Sequence, residues 1–466
     1  MEAFVIQGGK PLRGTVRIHG SKNATLPLMA AALLTDQPVT LADVPALSDI
    51  RNLARLLEAL GCGVEGITPS APLPQRSQPD DAGDADSAAP GSEGQRVAMH
   101  TTDESEAVST APYEIVRTMR AGICVLGPLL ARRGHAKVSL PGGCAIGDRP
   151  VNLHLRGLRA LGAKIEMDGG YIVAEGPAGK GSRLRAAHVF LGGPNGSTVL
   201  GTANVMSAAT LAEGTTVIEA AACEPEVADL AVLLNAMGAK ISGAGTPWVT
   251  IEGVGSLNGT PGDGHRVMAD RIEAGTYVCA AAITNGDVRL ENFPTATLTA
   301  ALDRLAEVGV ELDIEQPSDQ RLRDTVRIVS RRVLKPVQVV TQPHPGFPTD
   351  LQAQVMALLC LADGNSMVTE KIFPDRFLHV PELLRMGANI TRMGTNALVT
   401  GTRELIGAPV MASDLRASAG LVLAGLAARG ETVVHRVYHL DRGYERMERT
   451  LQRLGADIAR EDRDAV

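Results

Sequence analysis

The sequence predicts an α/β protein of two domains, built from six mixed helix–strand modules. Three observations carry this. A phrase made of an apolar helix end, a glycine and a short strand recurs six times along the chain. A second phrase, a helix followed by a glycine stop and a strand, falls between occurrences of the first. At 466 residues the chain is too long for one ordinary hydrophobic core. Two domains of three modules each follow.

The first phrase runs Leu57-Glu58-Ala59-Leu60-Gly61 and Leu158-Arg159-Ala160-Leu161-Gly162, then Leu234-Asn235-Ala236-Met237-Gly238 and Leu305-Ala306-Glu307-Val308-Gly309. It ends with Leu383-Leu384-Arg385-Met386-Gly387 and Leu451-Gln452-Arg453-Leu454-Gly455. Each glycine closes a helical pattern, where left-handed backbone is expected. Short strands such as Ala163–Glu166 and Ala239–Ser242 come next. The second phrase includes Ala209–Ile218, Ala281–Val288, Leu361–Gly364 and Leu426–Gly430. The glycine spacings are 101, 76, 71, 78 and 68 residues. Thr68–Gln95 explains the outlier. Its 28 residues are rich in Pro, Ser, Asp, Ala and Gly, with Leu73 the only large apolar side chain. Such a segment buries too little to order itself, so it is expected to be a disordered insertion in a hairpin. Without it the first spacing is 73 residues. Modules of about 70 residues exceed the familiar short helical and leucine-rich repeats.

Composition narrows the function. Hydrophobic residues make up 44% and aromatics only 3%, which suits cores of Ala, Val, Leu and Ile with close helix–sheet packing. The net charge of −7 and the lack of a Lys/Arg block argue against nucleic acid. An anionic substrate would need local arginines. The six cysteines, Cys62, Cys124, Cys144, Cys223, Cys279 and Cys360, form no metal or CxxC pattern. A reduced, cytoplasmic protein is expected. Met1–Lys10 lacks the features of a signal peptide, and no run of about 18 apolar residues predicts a membrane span.

One stretch carries chemistry. Pro141-Gly142-Gly143-Cys144-Ala145-Ile146-Gly147-Asp148-Arg149-Pro150 follows a strand end at Val138-Ser139-Leu140. Pro150 suits the first turn of a helix. Glycines permit a tight turn and close approach to a ligand. A thiol there, near a guanidinium and a helix start, is expected to be acidified and reactive.

These repeats, with Gly20-Ser21-Lys22-Asn23-Ala24, Ala111-Pro112-Tyr113, Thr118-Met119-Arg120-Ala121 and the Cys144 loop, resemble the enolpyruvyl transferase family. Pro348-Thr349-Asp350, Arg376-Phe377-Leu378-His379-Val380, Asp414-Leu415-Arg416-Ala417-Ser418 and Asp441-Arg442-Gly443-Tyr444-Glu445-Arg446 extend the likeness from Phe4 to about Ile458. The resemblance implies an inside-out α/β barrel in each domain, made of three βαβαββ repeats with helices buried inside sheets. It implies two crossings between domains, near Gly20–Lys22 and Met268–Asp270. Domain one is then 22–268, and domain two is 1–21 joined to 269–466.

The likeness is to the branch that moves an enolpyruvyl group from phosphoenolpyruvate to the 3′-hydroxyl of UDP-N-acetylglucosamine, releasing phosphate, at the start of peptidoglycan synthesis. It assigns the phosphoenolpyruvate cations to Lys22, Arg120, Arg149 and Arg442, since arginine grips carboxylate and phosphate bidentately. It gives Cys144 the role of acid toward C3, or of a covalent adduct at C2, and Asp350 the role of base, a residue that could also cap a helix. Asp414 and Arg416 resemble a supporting set that relays protons or orients Lys22; the bland alternative is a helix-starting Asp beside an exposed Arg. Arg149-Pro150-Val151-Asn152-Leu153 resembles the uracil-binding stretch. Asn195–Gly201, with Thr198 and Val199, resembles the second nucleotide contact, although Leu200 stands where relatives have glycine. Asn23, Ile372 and Arg376 complete the implied substrate contacts. No metal or organic cofactor is expected. Two alternatives remain: the sister activity on shikimate 3-phosphate, and a catalytically silent UDP-sugar-binding regulator. The Gly-Gly-Cys loop and Arg149-Pro150-Val151 argue against the first. The presence of Cys144, Asp350 and Lys22 argues against the second.

Overall fold

The computed structural model describes residues 2–67, 94–142, 151–330 and 333–463. Within them lie six four-stranded sheets of one design. His188–Phe190 runs parallel to Thr215–Glu219, which pairs antiparallel with Trp248–Glu252, and Lys240–Ser242 closes the far edge antiparallel. Every other sheet repeats this order and these senses.

Three strands reach their sheets from distant sequence. Glu2–Gln7 is the third strand of the sheet holding Pro409–Met411, Glu431–His435 and Asp457–Asp462. Arg13–Arg17 is the parallel edge beside Asp287–Phe293. His265–Arg266 is the parallel edge beside Val39–Val44. The apolar side chains divide accordingly into two cores. One is formed by residues from Ala24 to Val267. The other joins Phe4–Ile18 to Ala269–Ile458. The chain passes between them at two adjacent extended segments: Gly20 bridges Ala269, Ser21 N donates to Met268 O (2.7 Å), and Asp270 N donates to His19 O (2.8 Å).

Each module pairs two kinds of helix. Lys22–Ala30, Leu126–Arg133, Val199–Ala209, Arg271–Ile283, Gln352–Leu359 and Leu415–Ala427 are apolar over most of their surface and buried. They pack on one another at the centre of each core, the only place where an all-round apolar helix is stable in water. The second helix of a module, such as Ser48–Ala59, Asn152–Ala160 or Thr299–Val308, is amphipathic. The recurrent glycines 61, 162, 238, 309, 387 and 455 end this second set, and all six have φ between 80° and 104°. A side chain there would be strained.

The strands flanking the expected insertion pair as a hairpin, from Cys62↔Thr101 to Glu65↔Ala98. Gln95 belongs to strand Gln95–Thr101, which corrects the insertion's end; residues 68–93 lie outside the described residues. No helix among the described residues is long and apolar enough to cross a membrane.

Candidate functional site

The site is built where the two cores meet. Ser21 caps helix Lys22–Ala30, its hydroxyl accepting from Ala24 N (3.3 Å), and Lys22 N donates to Asp270 Oδ2 (3.1 Å). Lys22 is thereby fixed to the crossing segments. Its Nζ lies 3.5 Å from Asp49 Oδ2, at the start of helix Ser48–Ala59. The same carboxylate accepts from Arg442 Nε (3.0 Å) and Nη2 (3.4 Å), and Arg442 comes from the second core. Ser48 Oγ donates to Asp441 O (3.3 Å) and Ala46 N to Glu445 Oε2 (2.9 Å) along the same seam. Burial lowers the pKa of Lys22; Asp49 opposes this, Arg416 and Arg442 reinforce it, and Asp350 opposes it. A buried ammonium crowded by guanidinium groups is stabilised by any anion that enters.

Asp350 sits in the turn Thr349–Leu351 ahead of helix Gln352–Leu359. It does not cap a helix there: its oxygens accept from Arg376 Nη1 (2.8 Å), Arg416 Nε (3.2 Å) and Arg416 Nη2 (3.0 Å). The cap position of that turn belongs to Pro348. Burial works against the Asp350 carboxylate, yet Arg416, Arg376 and Lys22 together hold its pKa well below the usual carboxylate range. Arg416 is buried, not exposed. Its Nη1 also donates to Tyr444 Oη (3.3 Å), which contacts Thr276 Oγ1 (2.9 Å) and accepts from Gln354 Nε2 (3.3 Å). Arg376 is buried as well, donates to Thr349 Oγ1 (3.0 Å) and lies over the Phe373 ring at 5.7 Å. Asp414 stands at the start of the neighbouring helix. It caps helix Leu415–Ala427, accepting from Arg416 N (3.0 Å) and Ala417 N (3.1 Å). Among the described residues, the carboxylate within ion-pair distance of Lys22 Nζ is Asp49.

A cleft of about 610 Å³ opens between Pro194, Asn195 and Gly196 of the first core and Thr341, Gln342, Pro343, Pro345, Gly346, Lys371 and Ile372 of the second. Thr198 caps helix Val199–Ala209, accepting from Gly201 N (3.2 Å). Val199 and Leu200 pack partly against the first core. Val151 precedes helix Asn152–Ala160 and packs there too, with Asn152 exposed and Leu153 half-buried. Asn23 and Arg120 are half-buried, Arg120 at the start of the 3-10 helix Arg120–Val125.

Cys144, Arg149 and Pro150 lie outside the described residues. The five described cysteines are free. Burial pushes the thiols of Cys124, Cys279 and Cys360 up to about 12 and raises Cys62 and Cys223 as well. None has the acidified thiol that reactivity at neutral pH requires. No group of three or more His, Cys, Asp or Glu among the described residues is placed to hold a metal ion.

Sequence reasoning missed Asp49, Glu370 and Tyr444. Glu370 is fully buried and accepts from Thr341 Oγ1 (2.8 Å), Thr349 Oγ1 (2.9 Å), Ile372 N (2.8 Å) and Phe373 N (3.0 Å). It ties Thr349, the residue before Asp350, to Thr341 and to the Ile372–Phe373 backbone beside the cleft. Asp49, in Leu47-Ser48-Asp49-Ile50, carries only the ordinary signal of an acid in a helix's first turn.

Fold and site together define the class. A sequence model of the EPSP synthase (3-phosphoshikimate 1-carboxyvinyltransferase) family matches residues 6–69 and 92–451. The enolpyruvyl transferase NikO of Streptomyces tendae superposes with a TM-score of 0.81 at 23% identity, covering 98% of both chains. EPSP synthase of Acinetobacter baumannii superposes with a TM-score of 0.72 at 18% identity, covering 99% of this chain and 100% of the other. The fold is thus the enolpyruvyl transferase fold. The UDP-N-acetylglucosamine 1-carboxyvinyltransferase of Rhodospirillum centenum is 52% identical over 462 residues, 99% of each chain. That of Solidesulfovibrio magneticus is 50% identical over 460 residues, 99% of this chain and 100% of its own. With near-complete coverage at this identity, the chain belongs to the UDP-N-acetylglucosamine 1-carboxyvinyltransferase family.

Proposed function

We propose that the protein transfers the enolpyruvyl group of phosphoenolpyruvate to the 3′-hydroxyl of UDP-N-acetylglucosamine, releasing phosphate, as the first committed step of peptidoglycan synthesis. The observation that carries the chemistry is the meeting of Lys22 and Arg442, one from each core, beside an ionised Asp350. The near-complete match to relatives of that name supports the choice of acceptor. We take 22–268 as one domain and 1–21 with 269–466 as the other, a division supported by the two separate cores.

Phosphoenolpyruvate is bound at the seam by Lys22 and Arg442, with Arg120 and Arg149 completing the cation set and displacing Asp49 as counter-charge. Cys144 donates a proton to C3, which makes C2 oxocarbenium-like. The 3′-hydroxyl oxygen then bonds to C2, and its proton passes to Asp350. The Cys144 thiolate then takes a proton back from C3, the bond between C2 and the phosphate oxygen breaks with its electron pair leaving on phosphate, and the C2–C3 double bond is restored. Arg376 and Arg416 keep Asp350 ionised, so the acceptor is present at every neutral pH. A base this weak accepts the proton only as the hydroxyl becomes acidic in attack, which suits concerted transfer over prior ionisation. Val151, Asn152, Leu153, Thr198, Val199 and Ile372 line the path of the nucleotide sugar. Asp414 supports Arg416 through its helix cap. Free cysteines at all five described positions support a reducing, cytoplasmic location.

The test is phosphate release from phosphoenolpyruvate with each acceptor. UDP-N-acetylglucosamine should drive turnover and shikimate 3-phosphate should not. Turnover with shikimate 3-phosphate alone rejects the assignment, and nucleotide binding without turnover favours the silent regulator.

A further inference from the structure

The cleft beside the reacting groups has one chemical peculiarity. Among the described residues that line it, Lys371 carries the only charge. Among the described residues, the first-core wall is Pro194, Asn195 and Gly196, which carry no cation. It cannot readily gain one at 196. Gly196 has φ +100°, and a Cβ there would lie 2.9 Å from Pro343 Cγ, so any side chain would be both strained and obstructed. The turn is also closed on itself by paired backbone bonds between Gly193 and Gly196 (2.8 and 3.1 Å).

The opposite wall is arranged differently. Lys371 is exposed to the cleft, and no carboxylate lies within ion-pair distance of it among the described residues. The adjacent Glu370 is turned inward and consumed by four hydrogen bonds. Those bonds, with Lys371 N donating to Thr341 Oγ1 (2.9 Å), pin the backbone from which the lysine projects.

We infer that Lys371 supplies the cation that holds the diphosphate of the nucleotide-sugar acceptor, reaching it across the cleft from the second core. This rests on the acceptor proposed above. A diphosphate in this cleft meets one ammonium among the described lining residues, and it stands on the second-core wall. The acceptor then contacts both cores at once, beside the seam where Lys22, Arg442 and Asp350 lie.

The test compares wild type, Lys371→Met and Lys371→Arg. Lys371 is exposed, so folding is unaffected and melting curves check this. Loss of one charge-assisted contact at a partly solvated site should raise the KM for UDP-N-acetylglucosamine roughly five- to tenfold. The KM for phosphoenolpyruvate should stay within about twofold, and Lys371→Arg should restore most of the loss. Calorimetry with UDP and with uridine isolates the diphosphate: the Met variant should bind UDP more weakly and uridine as before. Unchanged UDP affinity in the Met variant, equal weakening toward uridine and UDP, or no binding of UDP by the wild type overturns the proposal. If wild type binds UDP but fails to turn over UDP-N-acetylglucosamine, the assigned activity fails, and the UDP-against-uridine comparison still decides the role of Lys371.

Discussion

Removing the charge of His19 should tilt the alkaline side of the stability profile. His19 lies on the crossing segment three residues before Lys22. Its N donates to Glu273 Oε2 (2.8 Å) and its Nδ1 lies 2.9 Å from Glu273 Oε1. Both side chains are nearly buried, at 10% and 4% exposed. Burial opposes the imidazolium, but the charge and hydrogen bond of Glu273, helped by Glu445 and opposed by Arg17, raise its pKa from 6.5 to about 9. The raised pKa belongs to the folded state. The stabilisation is therefore complete below 6.5 and is lost as pH rises through about 9. At about 1.4 kcal/mol per pH unit, the gap is worth about 3 kcal/mol. His19→Gln keeps a hydrogen-bond donor and removes the charge. Urea unfolding between pH 6 and 10 should show wild type losing about 3 kcal/mol more than the variant, with the two curves converging above pH 9. A histidine NMR resonance titrating near 9 should vanish in the variant. Parallel stability curves from pH 6.5 to 9.5, or a midpoint near 6.5, would refute the reasoning.

Three further outcomes are expected. An epoxide mimic of phosphoenolpyruvate should alkylate Cys144 alone, because burial raises the other five thiols; mass-spectrometric mapping of the label to any of them would reject this, and Cys144→Asp should keep some activity while escaping the reagent. Asp350→Asn should lower kcat by at least about 10²-fold through loss of the proton acceptor, with nucleotide affinity retained by calorimetry; a kcat within tenfold of wild type would show that another group takes the proton. Replacing residues 69–92 with a short turn should leave melting temperature and kcat nearly unchanged, since the hairpin from Cys62↔Thr101 to Glu65↔Ala98 lies outside the cut; a large fall in either would give the segment a structural or gating role.

The sequence by itself determined the modular plan. Six glycines after apolar helix ends marked six helix stops, because only glycine takes left-handed backbone freely, and all six have that conformation. Local chemistry of this kind is written residue by residue. The motif phrases likewise brought Lys22, Asp350, Arg376 and Arg442 into consideration, since their neighbours in sequence are distinctive. Only the tertiary structure decided how these residues are paired. Asp49 joins Lys22 to Arg442 across 393 residues of chain, and no local pattern encodes a partner so distant. Asp350 could equally have been a helix cap, and Asp414 a partner of Lys22. In the folded chain Arg416 and Arg376 donate to the Asp350 carboxylate, and the first N–H groups of helix Leu415–Ala427 donate to Asp414 Oδ1. A carboxylate goes to whichever donors burial leaves unsatisfied beside it, and burial is a property of the packed chain.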